Sequence, residues 1–102
     1  MGLHMLVAVE RFDLRIRGCG SLKEKRHVVK TLTAGLRGRF PVAVAEVDHQ
    51  QLWQRSAIGV AAVGAEGYHL RKVLHEVERF VEIHPGVEVL DRDVTFHDPE
   101  EE

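Results

Sequence analysis

Apolar residues in this chain recur every second position, then every third or fourth, then every second again, and the whole alternation occurs twice. A strand exposes alternate residues to each side, and a helix returns to the same side after three or four. The record therefore reads strand–helix–strand, strand–helix–strand. Leu3–Ile16 alternates, with Met5, Val7 and Val9 on one side and Leu6, Ala8, Phe12 and Leu14 on the other, predicting a central strand covered on both sides. Gly18-Cys19-Gly20 is a turn, and Ser21-Leu22-Lys23-Glu24 is a capping box. Its serine hydroxyl accepts from the amide of Glu24, and the glutamate carboxylate reaches back to the amide of Ser21. Leu22, Val28, Val29, Leu32, Leu36 and Phe40 then form one helical stripe, which Gly38 and Pro41 bring to an end.

The second half repeats the plan. Val42–Val47 reads as a strand and Asp48–Gln54 as a polar connection with room for one helical turn. Arg55–Ala65 reads as a strand and Tyr68–His84 as a second amphipathic helix. Pro85-Gly86 stops that helix before a last strand, Val87–Phe96. This order matches the split βαβ, ferredoxin-like α+β arrangement: a four-stranded antiparallel sheet, two helices on one face, and the first and third strands in the middle. A chain of 102 residues makes one such domain, residues 1–97, with an acidic tail at 98–102.

The opposite sheet face has no helix to cover it. Its third strand offers alanine, valine, isoleucine and glycine but no aromatic ring, which argues against base stacking on the sheet itself. An apolar second face calls for cover, and a second copy of the chain, sheet against sheet, is the expected one. The alternative is a modest exposed patch of small residues.

Charge divides unevenly. Residues 1–40 carry nine lysines and arginines against three acids, and residues 41–102 carry five against thirteen. The split suggests a basic and an acidic face, or solvated surfaces that merely differ. Lys23, Arg26, Lys30 and Arg37 share a flank of the first helix, about 100° per residue from its apolar stripe. Lys23 and Arg26, with Arg15 and Arg17 close by, add positive charge at the Gly18–Ser21 turn, where a helix N-terminus also favours an anion. Lys25 falls inside the apolar stripe, so an ion pair with Glu46 or Asp48 is expected of it.

The run Glu46–Arg55 concentrates acid, imidazole, amide, indole and guanidinium groups in and beside a loop. Trp53 either plugs the core or, with Arg55, His49 and Gln50, contacts RNA or protein. Asp48 and His49 are adjacent on a strand, so their side chains are expected to diverge, and no acid–base pair forms. No Walker loop, nucleophile triad or metal-ligand spacing is present, so no catalytic residue, cofactor or metal is expected. No apolar stretch approaches the ~20 residues of a membrane span. Met1–Val9 lacks the basic segment and cleavage site of a signal peptide. A single cysteine, Cys19, suits a reducing cytoplasm.

The runs Ser21–Arg26 and Ala45–Arg55 together resemble the YlxP-like family, small bacterial proteins with a domain of unknown function, and the resemblance extends from Leu3 to Val94. It implies a ferredoxin-like fold, a cytoplasmic protein and, through the gene neighbourhoods of that family, a setting in ribosome assembly or translation. It transfers no catalytic residue. The Gly18-Cys19-Gly20 turn and the tail after Phe96 depart from the family pattern. The expected contact set for RNA or for a ribosomal or assembly protein is therefore Arg15, Arg17, Ser21, Lys23, Lys25, Arg26, Lys30, His49, Gln50, Trp53 and Arg55. A protein–protein module without nucleic acid, or a site for a small phosphorylated ligand at the Gly18–Ser21 turn, is the alternative.

Overall fold

A computed structural model describes residues 5–99. Its elements are β1 (Leu6–Ile16), α1 (Leu22–Arg39), β2 (Ala43–Asp48), β3 (Arg55–Gly64), α2 (Gly67–Glu82) and β4 (Val87–His97). They form one antiparallel sheet in the order β2-β3-β1-β4, so the first and third strands are central, as a ferredoxin-like fold requires. Residues 1–4 and 100–102 lie outside the described residues, including the predicted start of the first strand at Leu3 and most of the acidic tail. Gly38 does not end α1, which runs through it to Arg39; the stop comes from Phe40, in extended conformation ahead of Pro41.

Both helices cover one sheet face. The even-numbered residues of β1 point toward them, and Phe12, Leu14 and Ile16 are fully buried with Leu32 and Leu36 of α1 and Leu70, Val77 and Val81 of α2. Each such side chain contributes about 1.5–3 kcal/mol. The odd-numbered residues of β1 face the uncovered side, so β1 is central but is covered once, not twice. A Cβ on Gly35 would stand 2.7 Å from Phe80 Cζ, so glycine is what lets the Phe80 ring seat between the helices, edge-on to Phe40.

Glu10 breaks the apolar pattern. It shares the inward side of β1 with Ala8 and Phe12 and is only 2% exposed. No donor faces either of its carboxylate oxygens. Above it on α2, Glu78 is held by Arg92 of β4 at 2.9 Å, and Glu82 is 3.9 Å from the same guanidinium. Burial, then the hydrogen bond and repulsion from Glu78, push the Glu10 carboxyl up to about 8, with Arg92 only partly opposing. Glu10 is thus protonated at neutral pH and donates its proton to Glu78.

Because the folded value exceeds the ordinary 4.5, this group contributes stability that is fully present below pH 4.5 and lost as pH rises through about 8. Thermal unfolding is therefore expected to show Tm declining over that window. Glu10→Gln should flatten the decline and raise Tm by at least about 4 °C near pH 9, roughly 1 kcal/mol for a domain of this size. An unchanged slope in the variant would remove Glu10 as its source.

Candidate functional site

One end of the sheet gathers the close of β1, the turn into α1, the first turns of α1, the loop joining β2 to β3, and the start of β3. What binds them is Lys25. Its side chain is fully buried, with Nζ 2.7 Å from Glu46 Oε2, 2.7 Å from the His49 carbonyl and 3.3 Å from the Gln50 carbonyl. Three acceptors match the three protons of an ammonium. The same Glu46 oxygen accepts from Ser56 Oγ at 2.7 Å. A buried charge is tolerated when paired and hydrogen-bonded in this way.

This arrangement corrects two expectations. Lys25 was expected both in an ion pair and among the partner-contacting cations, and its burial is compatible only with the ion pair. Asp48 takes no part in it. An irregularity in the β2–β3 register between Glu46 and Asp48 turns Asp48 toward the helix-free side. There it accepts from the His49 amide at 2.7 Å and from Arg11 at 3.3 Å. That amide first, and Arg11 second, hold its carboxyl below the usual range.

His49 has φ +61, a left-handed conformation rare for a side chain larger than glycine. The reversal brings its ring back to 3.8 Å from Asp48 Oδ1 and 3.9 Å from Asp13 Oδ1, so the side chains of Asp48 and His49 do not diverge as strand alternation predicts. Where one helical turn had room, the chain forms a hydrogen-bonded turn from the Leu52 amide to the His49 carbonyl, 3.1 Å.

The far side of the loop is tied to β1 and its turn. The Ile16 amide donates to the Gln54 carbonyl at 2.9 Å, and Gln54 Nε2 donates to the Cys19 carbonyl at 3.2 Å. Held at both ends, the loop presents Leu52 and Trp53 outward. Trp53 is 52% exposed and does not plug the core. Gln51, Leu52, Trp53, Gln54 and Arg55 line a shallow hollow of about 410 Å³. Gln50 is exposed beside it.

The basic residues separate into groups. Lys23, Arg26 and Lys30 are exposed along α1 and have no ion pair among the described residues. Arg37 leaves that ridge, since its Nη2 donates to the Val44 carbonyl at 2.8 Å. Arg15 and Arg17 both approach Glu88, at 3.5 and 4.0 Å. Arg55 is half-buried and unpaired.

The turn before α1 satisfies itself. Ser21 Oγ accepts from the Glu24 amide at 3.1 Å, as the capping box predicts, but the Glu24 carboxylate receives the Gly20 amide at 2.7 Å instead of that of Ser21. With these amides occupied, the turn has little left to offer an anion.

The model of a family described as a protein of unknown function, DUF503, matches residues 7–94. The "Uncharacterized protein YlxP" of Bacillus subtilis (strain 168) is 37% identical over 73 residues, 72% of this chain and 79% of that protein. A de novo designed protein, Foldit4, shares the fold at a TM-score of 0.53 and 13% identity, over 90% of this chain and 96% of its own.

Removing one partner of the buried pair strands the other. Lys25→Met is expected to cost about 3–5 kcal/mol in urea unfolding, while Lys25→Met with Glu46→Leu recovers much of the loss. The double variant should also shift the emission of Trp53, the single tryptophan, because the loop carbonyls lose their anchor. Equal costs for single and double variants would refute the pairing.

Proposed function

The chain belongs to the DUF503 family, and we propose that it is a noncatalytic binding protein that engages single-stranded RNA with the Trp53 loop and the basic ridge of α1. The setting that the YlxP-like resemblance implies, ribosome assembly or translation in the cytoplasm, is part of this proposal. One observation carries it: a half-exposed indole on a loop clamped at both ends, one of the clamps being the helix that carries cations with no ion pair among the described residues. An indole face accepts any base by stacking, and free lysines and arginines track a phosphate backbone. Clamping lowers the ordering cost of binding. The hydroxyl that does meet a carboxylate here, Ser56 on Glu46, is fully buried and closed to a substrate, which favours binding over catalysis.

A second reading concerns the helix-free face. Val7, Val9, Ala43, Ala45, Val47, Ala61 and Val63 lie on it by strand register, and Val9, Val47 and Val63 are exposed. A groove of about 460 Å³ runs between them. Four strands at about 4.8 Å spacing give a face of the scale that a dimer interface of roughly 800 Å² per partner needs. This favours a homodimer formed sheet to sheet, compatible with RNA at the loop end.

Titration of Trp53 fluorescence with a single-stranded RNA should show quenching and a steep salt dependence. Reversal of Lys23, Arg26 and Lys30 to glutamate should weaken binding at least tenfold and flatten the slope by roughly 0.7 per lost phosphate contact. Trp53→Ala should cost about 1–3 kcal/mol. Unchanged affinity in both variants, or a cellular partner retained after RNase treatment, would favour a protein–protein module instead. For the second reading, light scattering should give twice the chain mass for wild type and a monomer for Val9→Glu/Val47→Glu. A wild-type monomer would reject the dimer.

A further inference from the structure

Arg15 and Arg55 stand directly opposite one another across the central strands β1 and β3, on the helix-free side of the sheet. Like charges at directly opposed positions repel and destabilise a strand pair. The protein does little to relieve this. Among the described residues Glu88 is the one carboxylate within 4.0 Å of Arg15 or Arg17, and none reaches Arg55. Arg55 goes further: none of its side-chain nitrogens has an acceptor among the described residues, and while Nε is shut off from solvent, its two Nη nitrogens are open to it. A guanidinium carries five fixed donors and always its charge, so one held half-buried with its Nη donors open and unpaired is placed to take an anion.

We infer that Arg55, with Arg15 opposite it, is a binding site for the phosphate group of a nucleotide whose base rests on Trp53. The inference rests on the RNA reading and deepens it, giving one nucleotide a place. A tetrahedral phosphate has enough oxygens to accept from two guanidiniums at once, and arginine forks suit it in bidentate fashion. Residue 53 lies two positions before 55, and the hollow of about 410 Å³ lined by Gln51 to Arg55 joins them. Pockets for small ligands begin near 300 Å³, so one nucleotide fits. Gln51 and Gln54 border the same hollow, offering amide donors and acceptors to a base edge. The phosphate arrives either within an RNA chain or on a free nucleotide, and both share this chemistry.

The full chain labelled with nitrogen-15 gives the test, by following the Arg55 Nε–Hε resonance and Trp53 fluorescence during titration with a single-stranded RNA hexamer, with adenosine monophosphate and with inorganic phosphate. The resonance is expected to move with saturation in the RNA titration. If the monophosphate also moves it and quenches Trp53 at comparable concentration, the source includes free nucleotides; if only the hexamer does, the source is RNA. Arg55→Gln should weaken hexamer binding at least tenfold and lower the salt slope by roughly 0.7, one phosphate contact.

Without ligand, Arg55→Gln should melt at or above the wild-type temperature, since the clash with Arg15 is gone. Phosphate should raise the wild-type Tm above that in chloride of equal ionic strength and leave the variant unmoved. An Arg55 resonance indifferent to all three ligands overturns the site. So does an Arg55→Gln variant that binds the hexamer like wild type. If, in that case, the Lys23/Arg26/Lys30 reversal still abolishes binding, the RNA reading survives and the phosphate site alone has failed. A hexamer that does not bind, with the monophosphate still moving Arg55, upholds the site and refutes the RNA reading.

Discussion

The geometry of the loop end depends on one ammonium group. Lys25 leaves an otherwise apolar helix stripe to meet Glu46 and two loop carbonyls. Removing its charge from water costs several kcal/mol before any partner is found, so the three acceptors must be in place together. That requirement fixes the start of α1 against the β2–β3 loop and holds His49 at a positive φ that an unconstrained chain would abandon. The hydrogen bonds of Ile16 and Gln54 tie the other side of the loop. Trp53 is outward because the backbone on either side of it is already committed, and an indole that cannot fold back onto the core is free to meet a ligand.

Much of this was legible in the residues. The doubled change of apolar period is enough for the element order, and a capping box at Ser21 marks the start of α1 because its donors and acceptors match at that spacing. Lys25 declared itself as a charge at an apolar helical position. The choice of partner was less accessible. Glu46 and Asp48 differ by two residues, so regular alternation puts both on one side, and a single register irregularity separates them. The His49 reversal follows from the Lys25 bonds, which join residues 24 and 25 positions apart, and no local pattern announces it. The exposure of Trp53 was likewise open in sequence terms, because an indole between polar neighbours suits a core plug as well as a contact surface. Glu10 was visible but passed over: it keeps the parity of Ala8, Phe12 and Leu14, so alternation alone turns it inward.

Two ionisable residues placed by that parity differ in kind. Glu10 faces the helices, where burial and Glu78 keep it protonated, so it behaves as a neutral core group at neutral pH. Arg55 faces the open side, and arginine has no such escape, since its charge persists at any physiological pH. A carboxyl can resolve an unfavourable site by taking a proton; a guanidinium keeps its charge and needs an acceptor, an aromatic face or water. The protonated acid therefore reads as part of the fold, while Arg55 keeps open donors that the described residues leave unmet.

The same reasoning orders the rest of the basic half of the chain. Arg37 is spent on the Val44 carbonyl, Arg39 stacks on Phe80, Arg11 is held by Asp13 and Asp48, and Lys25 is buried. Excess charge in residues 1–40 thus overstates what is available to a partner. What stays unpaired among the described residues is Lys23, Arg26 and Lys30 on the helix and Arg55 at the start of β3, while Arg15 and Arg17 share the single carboxylate of Glu88. A chain that wanted solubility alone would have no reason to hold its single tryptophan outward on a loop tied down at both ends. On the proposed function, a strand of phosphates carrying unstacked bases would use the charges and the ring together, whereas a protein surface would bury the ring by packing and meet the charges with carboxylates.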